Sequence, residues 1–344
     1  MKPFKIRLLL LIVMAGALVM VGNREALGQK APDKIRVSYP PGFVIGVLDF
    51  LKAVERYLKE FSIEFESIPV RGGADNAIAV AAGRAEFSIG SISPAINVAL
   101  EQGPLKIINA CCFEDKDHRT GTVIAVRKEI KNWQGLKGKT MATHRLGSLS
   151  DITARVLLKA NKLDPAKDVT ILELPFGGMA PGLKRNQVQA LAFFPPYVAE
   201  VYNEGYGYEL GKTADVIPRL AREGWYGNSE FLAGNRDLSL RLMKAILLAT
   251  NDLGKMSDDA YIDFIADLWK GDRAILRDLS KYKMLHDRFI YDPSVLKEAV
   301  GTHVKLMDDF RLIKNVPSGF LDSLVDVSLM QQAHKELQAA RRLP

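Results

Sequence analysis

IPVRGGADNAIAVAAGRAEFSIGSISPAINVALEQG (residues 68–103) and LPFGGMAPGLKRNQVQALAFFPPYVAEVYNEG (residues 174–205) are two versions of one pattern. Pro94 and Gly103 stand 102 positions before Pro196 and Gly205, and Gly72-Gly73 stands 105 before Gly177-Gly178. Each copy reads as a strand, a glycine turn, a short helix, a second strand and then a helix opened at a proline. Two similar βαβα units in one chain predict two similar lobes, and two facing lobes enclose a cleft.

The pattern extends outward on both sides. Residues 34–39 (KIRVSY) alternate polar and apolar side chains and end at Pro40-Pro41-Gly42, the signature of a strand with its loop at the carboxyl end. Residues 46–61 carry apolar side chains at helical spacing, and 63–68 form a second strand. Residues 105–110 (LKIINA) and 121–126 (GTVIAV) are two further strands. A second lobe opens at 133–139 (WQGLKGK), with a strand at 140–143 and a helix capped by Ser148 or Ser150. Beyond Gly224 the spacing is helical over 236–253, 260–270, 293–312 and 321–337, which predicts a helical tail folded back on the first lobe. The predicted division is 29–126 plus 229–344 for lobe one and 127–228 for lobe two. The chain then crosses twice between lobes, near 126–129 and 225–230, and two crossings make a hinge.

The first 28 residues read as an export signal. Lys2, Lys5 and Arg7 precede an apolar run over 8–22, and Ala26-Leu27-Gly28 supplies small residues for cleavage. The run is shorter than the ~18–20 residues that span a bilayer. A chain processed there begins near Gln29 and works outside the cytoplasmic membrane, in the periplasm. The signal carries a net +3 of the formal +7, so the mature charge is +4, with no dense basic run. Nucleic acid is a poor partner for such a surface. The 48% hydrophobic and 25% charged composition is that of a globular protein with an ordinary core. Cys111 and Cys112 are adjacent, and adjacent cysteines rarely form a disulfide.

In open α/β sheets ligands gather at the carboxyl ends of strands. That rule selects Tyr39 and Phe43 around the first turn, Ser91 and Ser93 before Pro94, Gly147 and Ser148 before the lobe-two helix, and Phe194 and Tyr197 in the second repeat. Trp225 lies at the return crossing, and Arg71 is a cation beside the first glycine pair. Helix starts offer free amides to an anion, and the rings offer faces to an organic body. Against a catalytic reading, there is no GxSxG elbow, Walker sequence or HExxH pattern, and Gly72-Gly73 lacks a GxGxxG frame. The sequence calls for no cofactor or metal and gives no sign of an enzyme.

The ordered set AVAAGRAEFSIGSISPA (79–95), WQGLKGKTMATHRLGSLSD (133–151), KLDPAKDVTILELP (162–175) and NQVQALAFFPPY (186–197) resembles the periplasmic substrate-binding proteins of ABC importers, in the aliphatic sulfonate, nitrate and thiamine-pyrimidine-precursor group. The resemblance implies an α/β, two-lobed type II binding-protein fold that closes on a small organic ligand. It implies delivery of that ligand to a permease in the inner membrane, with the receptor a monomer. Its ligand loops correspond here to the segments around Tyr39, Ser91–Ser93, Gly147–Ser148 and Phe194–Tyr197. The group often has an acidic residue before proline where this chain has Phe194, which turns the expectation toward an anionic or aromatic ligand. Two other readings stay open: a pyrimidine-forming enzyme of thiamine-biosynthesis type on the same fold, and a sensory receptor that presents its ligand to a membrane partner.

Overall fold

A computed structural model describes residues 31–39, 48–70, 72–101, 103–114, 122–194, 198–218, 220–269, 273 and 295–344. The predicted signal over 1–28 lies outside them, as do Phe43, Arg71 and Tyr197.

The first sheet holds β1 (Asp33–Tyr39), β2 (Ile63–Pro69), β3 (Phe87–Ser91), β4 (Leu105–Phe113) and β10 (Ala221–Asn228), in the order β2-β1-β3-β10-β4. The second holds β5 (Val123–Arg127), β6 (Lys139–Thr143), β7 (Val169–Glu173), β8 (Ala190–Phe193) and β9 (Gly207–Lys212), in the order β7-β6-β8-β5-β9. The two orders are equivalent position by position. In each, a parallel core is followed by one antiparallel strand that the chain delivers from the far side: β10 runs antiparallel to β3 and β4, and β5 runs antiparallel to β8 and β9.

The sequence repeat is the visible part of this symmetry. Its first copy is β2, α2 (Gly73–Ala81), β3 and α3 (Ile92–Leu100); its second is β7, α5 (Phe176–Lys184), β8 and α6 (Ala199–Asn203). Alternation also places β1 correctly, because Ile35 and Val37 are buried while Arg36 turns out to pair with Glu86 through Nε at 2.9 Å. Before the repeat, α1 (Leu48–Glu60) occupies the expected first helix.

Two strand assignments need correction. Residues 121–126 were expected in lobe one, but Val123–Val126 pair with Phe193–Ala190 of the second sheet. Residues up to 228 were expected in lobe two, but Gly224–Gly227 pair with Gly90–Phe87 of the first sheet. The crossings therefore fall at 114–122 and 213–220, one strand earlier than expected in each case. Hydrogen bonds tie their ends together. Thr122 N donates to Glu114 Oε1 (3.0 Å), Thr213 N donates to Thr122 O (3.0 Å), and Glu114 N donates to Leu220 O (2.8 Å).

The tail is helical, as its spacing predicts. Helices α7 (Ser229–Gly234), α8 (Arg236–Lys255), α9 (Asp258–Trp269), α10 (Leu296–Asp309), α11 (Phe320–Leu324) and α12 (Ser328–Ala339) follow β10. Side chains of α8, α9 and α12 cover one face of the first sheet, clustering with Ile35, Val37, Phe87, Ile89 and Trp225. Those of α10 cover the other face with Ile107 and Tyr226. The single helix expected over 321–337 is broken in two. Val325 is extended, bridges to Ile107, and the next residue, Asp326, donates its amide to Ile107 O at 3.0 Å. Pairing with the edge of β4 outweighs helix continuity there.

His303 of α10 is fully buried between α3 and β10. Its Nε2 lies 2.6 Å from Ala221 O, a pure acceptor, so Nε2 carries the proton and Nδ1 accepts from Ser93 Oγ at 3.0 Å. Burial pushes its pKa down to about 4.

Two predictions follow from this packing. A Cβ at Gly224 would stand 2.6 Å from the backbone oxygen of Asn109, so Gly224→Ala should lower stability by about 1–3 kcal/mol, read as a drop in the urea midpoint. His303 is neutral when folded while its unfolded counterpart takes up a proton below pH 6.5. Its contribution is therefore complete above that pH and fades as pH falls toward about 4. The stability difference between wild type and His303→Gln should be constant above neutrality and shrink through that window; a difference independent of pH would assign the shift elsewhere.

Candidate functional site

The carboxyl ends of β3, β6 and β8 point toward one another, and the antiparallel β10 brings its amino end to the same place. Glu223 is registered opposite Ser91, so Arg222 and Glu223 sit beside the start of α3. Between the sheets lies a cavity of about 290 Å³, at the lower edge of the ~300–1,000 Å³ typical of ligand pockets. Lobe one lines it with Gly73, Ala74 and Ile78 of α2 and with Ser91, Pro94, Asn97, Val98 and Glu101 along α3. Lobe two contributes residues 144–149, from the end of β6 into α4 (Leu149–Ala160), together with Phe194 after β8.

The loop from β6 to α4 is a compact hydrogen-bonded unit. Gly147 has φ +75°, a conformation that suits glycine, and it approaches lobe one closely: a Cβ there would lie 4.0 Å from Asn97 Nδ2. Ser148 is the N-cap of α4, donating Oγ–H to Arg145 O at 2.6 Å and facing Asp151 N at 3.5 Å. Ser150 Oγ lies 2.5 Å from Thr143 Oγ1, 2.9 Å from His144 Nδ1 and 3.0 Å from Ser148 Oγ. The hydroxyls hold the imidazole in place.

His144 stacks on Phe176 at 4.9 Å between centroids and meets Phe194 edge-on at 6.3 Å. Burial, aided by neighbouring Arg145, lowers its pKa to about 4, so the ring is neutral at physiological pH. Phe194 also packs against Phe193 at 4.8 Å, and the guanidinium of Arg222 sits 5.7 Å from the Phe194 centroid. That last contact is a cation–π pair linking a lobe-one strand to a lobe-two loop. The charged residues lining the cavity are Arg145, Arg222, Glu101 and Glu223, so neither sign dominates by count. Arg222 and Glu223 are both buried, which strengthens their fields compared with surface charges.

The expected site residues divide clearly. Ser91, Gly147, Ser148 and Phe194 come together in the cavity wall. Tyr39 does not reach it: at the end of β1 its hydroxyl pairs with Ser67 Oγ at 3.0 Å, and its ring packs at the edge of the core. Ser93 is corrected to a structural role, because α3 turns it away from the cleft and onto His303. Trp225 is corrected likewise. It lies inside β10, paired with Ile89 and past the crossing, and is fully buried in the core, 6.4 Å from the Phe65 ring.

Sequence reasoning overlooked His144, Arg145, Asn97, Glu101, Arg222 and Glu223. The first two carried a usable signal, since they directly follow a strand in the same loop as Gly147. Asn97 and Glu101 follow Pro94 by three and seven positions, on the side of α3 that continues the cleft wall. Arg222 and Glu223 carried none, because the strand-end rule addresses carboxyl ends and these stand at the amino end of an antiparallel strand.

Comparison with known proteins gives this geometry a family. Residues 70–266 match the model of the NMT1-like family. The candidate binding protein YtlA of Bacillus subtilis (strain 168) is 20% identical over 245 residues, 70% of this chain and 72% of its own. Among solved structures, the ligand-binding component of an ABC-type import system from Staphylococcus aureus, with zinc bound, superimposes with a TM-score of 0.71 at 17% identity, over 88% of this chain and 99% of that one. The periplasmic nitrate-binding protein NrtA from Synechocystis PCC 6803 gives 0.70 at 14% identity, over 92% of each chain. The periplasmic aliphatic sulphonate binding protein SsuA from Escherichia coli gives 0.64 at 17% identity, over 83% of this chain and 89% of that one. These neighbours share the two-lobed periplasmic binding-protein fold, and with more than half its length matched by the family model, this chain belongs to the NMT1-like family.

Proposed function

We propose that this protein is a non-enzymatic extracytoplasmic receptor that captures one small organic molecule between its lobes and delivers it to an ABC permease. The observation that carries the reading is the cavity itself. Its wall is drawn from elements of both sheets, so a molecule held there touches both lobes at once and favours their closed arrangement. The structural neighbours, one the ligand-binding component of an ABC-type import system and two others periplasmic binding proteins, support the same role. The basic, apolar and small-residue succession over 1–28 supports export, and no helix among the described residues is long and apolar enough to cross a membrane. A monomer suffices, since one chain supplies the whole wall.

The lining indicates the ligand's chemistry. Buried Arg222 offers a charge-assisted donor to an acid group, while Phe194, His144 and Leu149 offer apolar and aromatic faces to the remainder. An organic anion with a compact apolar or aromatic body fits both.

The reading is tested by screening the mature protein against sulfonates, nitrate, aromatic carboxylates and pyrimidines. A ligand present at 100 times its Kd adds about 2.7 kcal/mol of stability, which is easily read as a rise in Tm. The same ligand should reduce the radius of gyration in small-angle scattering and be recovered chemically unchanged. Arg222→Ala and Phe194→Ala should each weaken binding about tenfold or more, ~1.4 kcal/mol, and Ser91→Ala should weaken it less. Tyr39→Phe should leave affinity unaltered. Turnover of the ligand, or no binder in any class, would defeat the proposal.

A further inference from the structure

Apolar side chains scattered singly on a protein surface are ordinary, whereas grouped ones mark contact sites. Among the described residues the large apolar side chains left exposed are Ile78 (47%), Leu146 (48%) and Val216 (41%). Two of these three line one cavity, Ile78 from α2 of lobe one and Leu146 from the β6–α4 loop of lobe two. Ile78 has apolar company. Ala74 and Ile78 stand four apart on α2, and Pro94 and Val98 stand four apart on α3, so each helix turns an apolar strip to the cavity. The two helix starts abut, since a Cβ at Gly73 would lie 3.3 Å from Pro94 Cγ. The strips therefore form a furrow between α2 and α3, bordered on the lobe-two side by Asn97, which lies near Gly147. Across from it the loop backbone is fixed: Leu146 N donates to Glu173 Oε1 at 2.7 Å and Gly147 N to Asp151 Oδ2 at 2.8 Å. A rigid loop thus holds a half-exposed leucine at the cavity.

Building on the receptor reading, we propose that Ile78 and Leu146 are specificity-determining residues that grip an aliphatic segment of the ligand. The segment lies along the furrow of Ala74, Ile78, Pro94 and Val98 and is covered from lobe two by Leu146. Each methylene buried there gains affinity, whatever charge the ligand carries at its other end. The charged residues of the wall are two of each sign, so chain length rather than net charge governs the choice among ligands that share a head group.

The test uses straight-chain probes in place of the natural ligand. n-Alkanoates of about four to ten carbons, and n-alkylamines of the same lengths, are titrated into the full mature chain by calorimetry. In the wild type, affinity should rise about threefold per added methylene in at least one series. Ile78→Ser and Leu146→Ser should each cut that gain to about 1.5-fold or less. Both variants should keep the wild-type Tm, because the side chains they replace are already half-exposed. Val216→Ser, outside the cavity lining, should keep the full gain. Equal weakening of short and long probes would show that the pair only meets itself on lobe closure, and would overturn the inference. So would a gain that survives both substitutions, the result expected if the pair docks the permease instead. Wild-type affinity independent of chain length, or no binding of either series, overturns it as well. A ligand from the screen that compacts the protein would keep the receptor reading intact after any of these failures. Conversely, a substitution-sensitive gain without compaction would uphold the furrow and count against the receptor.

Discussion

Everything in this molecule depends on the reciprocal exchange of one strand between two sheets. β5 inserts beside β8 in the second sheet, and β10 inserts beside β3 in the first. Each exchanged strand satisfies backbone groups on both sides, since β10 bonds β3 and β4 and β5 bonds β8 and β9. All eight residues of β10 are buried, with Trp225 directed into one core and Tyr226 into the other. Unpairing such a strand would strand its amides and expose both aromatic side chains. Each exchanged strand is thereby fixed on both edges within the sheet that receives it.

The exchange also builds the site. Because β10 enters antiparallel, its amino end arrives where the parallel strands finish, and it carries Arg222 and Glu223 to the cleft. His303 secures the same point from behind, bonding Ala221 O on one side and Ser93 on the other. The wall of the cavity and the core of lobe one thus share a support. The duplicated scaffold carries unlike surfaces. Lobe one brings Ser91, Asn97 and the charged pair on β10, whereas lobe two brings stacked rings and a loop whose amides are internally satisfied.

Much of this was legible from residue order. The repeat located β2, α2, β3 and α3 and their counterparts β7, α5, β8 and α6, because alternation, glycine turns and helical spacing are local properties. The strand-end rule found Ser91, Gly147, Ser148 and Phe194 for the same reason. It erred at Ser93, which stands one residue, about 100° of helix rotation, from the cavity-lining Pro94 and so faces the core instead. It erred at Trp225 because a strand crossing between lobes looks, in sequence, like the end of the lobe it leaves. Residues 121–126 misled in the same manner.

The sequence by itself determined the two-lobed α/β architecture, the order of elements, the helical tail and four of the wall residues. Each follows from periodicity or from chemistry within a few neighbours. Only the tertiary structure decided which sheet receives β5 and β10, which side of α3 lines the cavity, and that Asp151 accepts the Gly147 amide at the start of α4. Those outcomes turn on hydrogen bonds and burial between residues distant in the chain, such as Glu223 with Ser91 and His303 with Ser93. No local pattern encodes a partner 131 or 210 positions away.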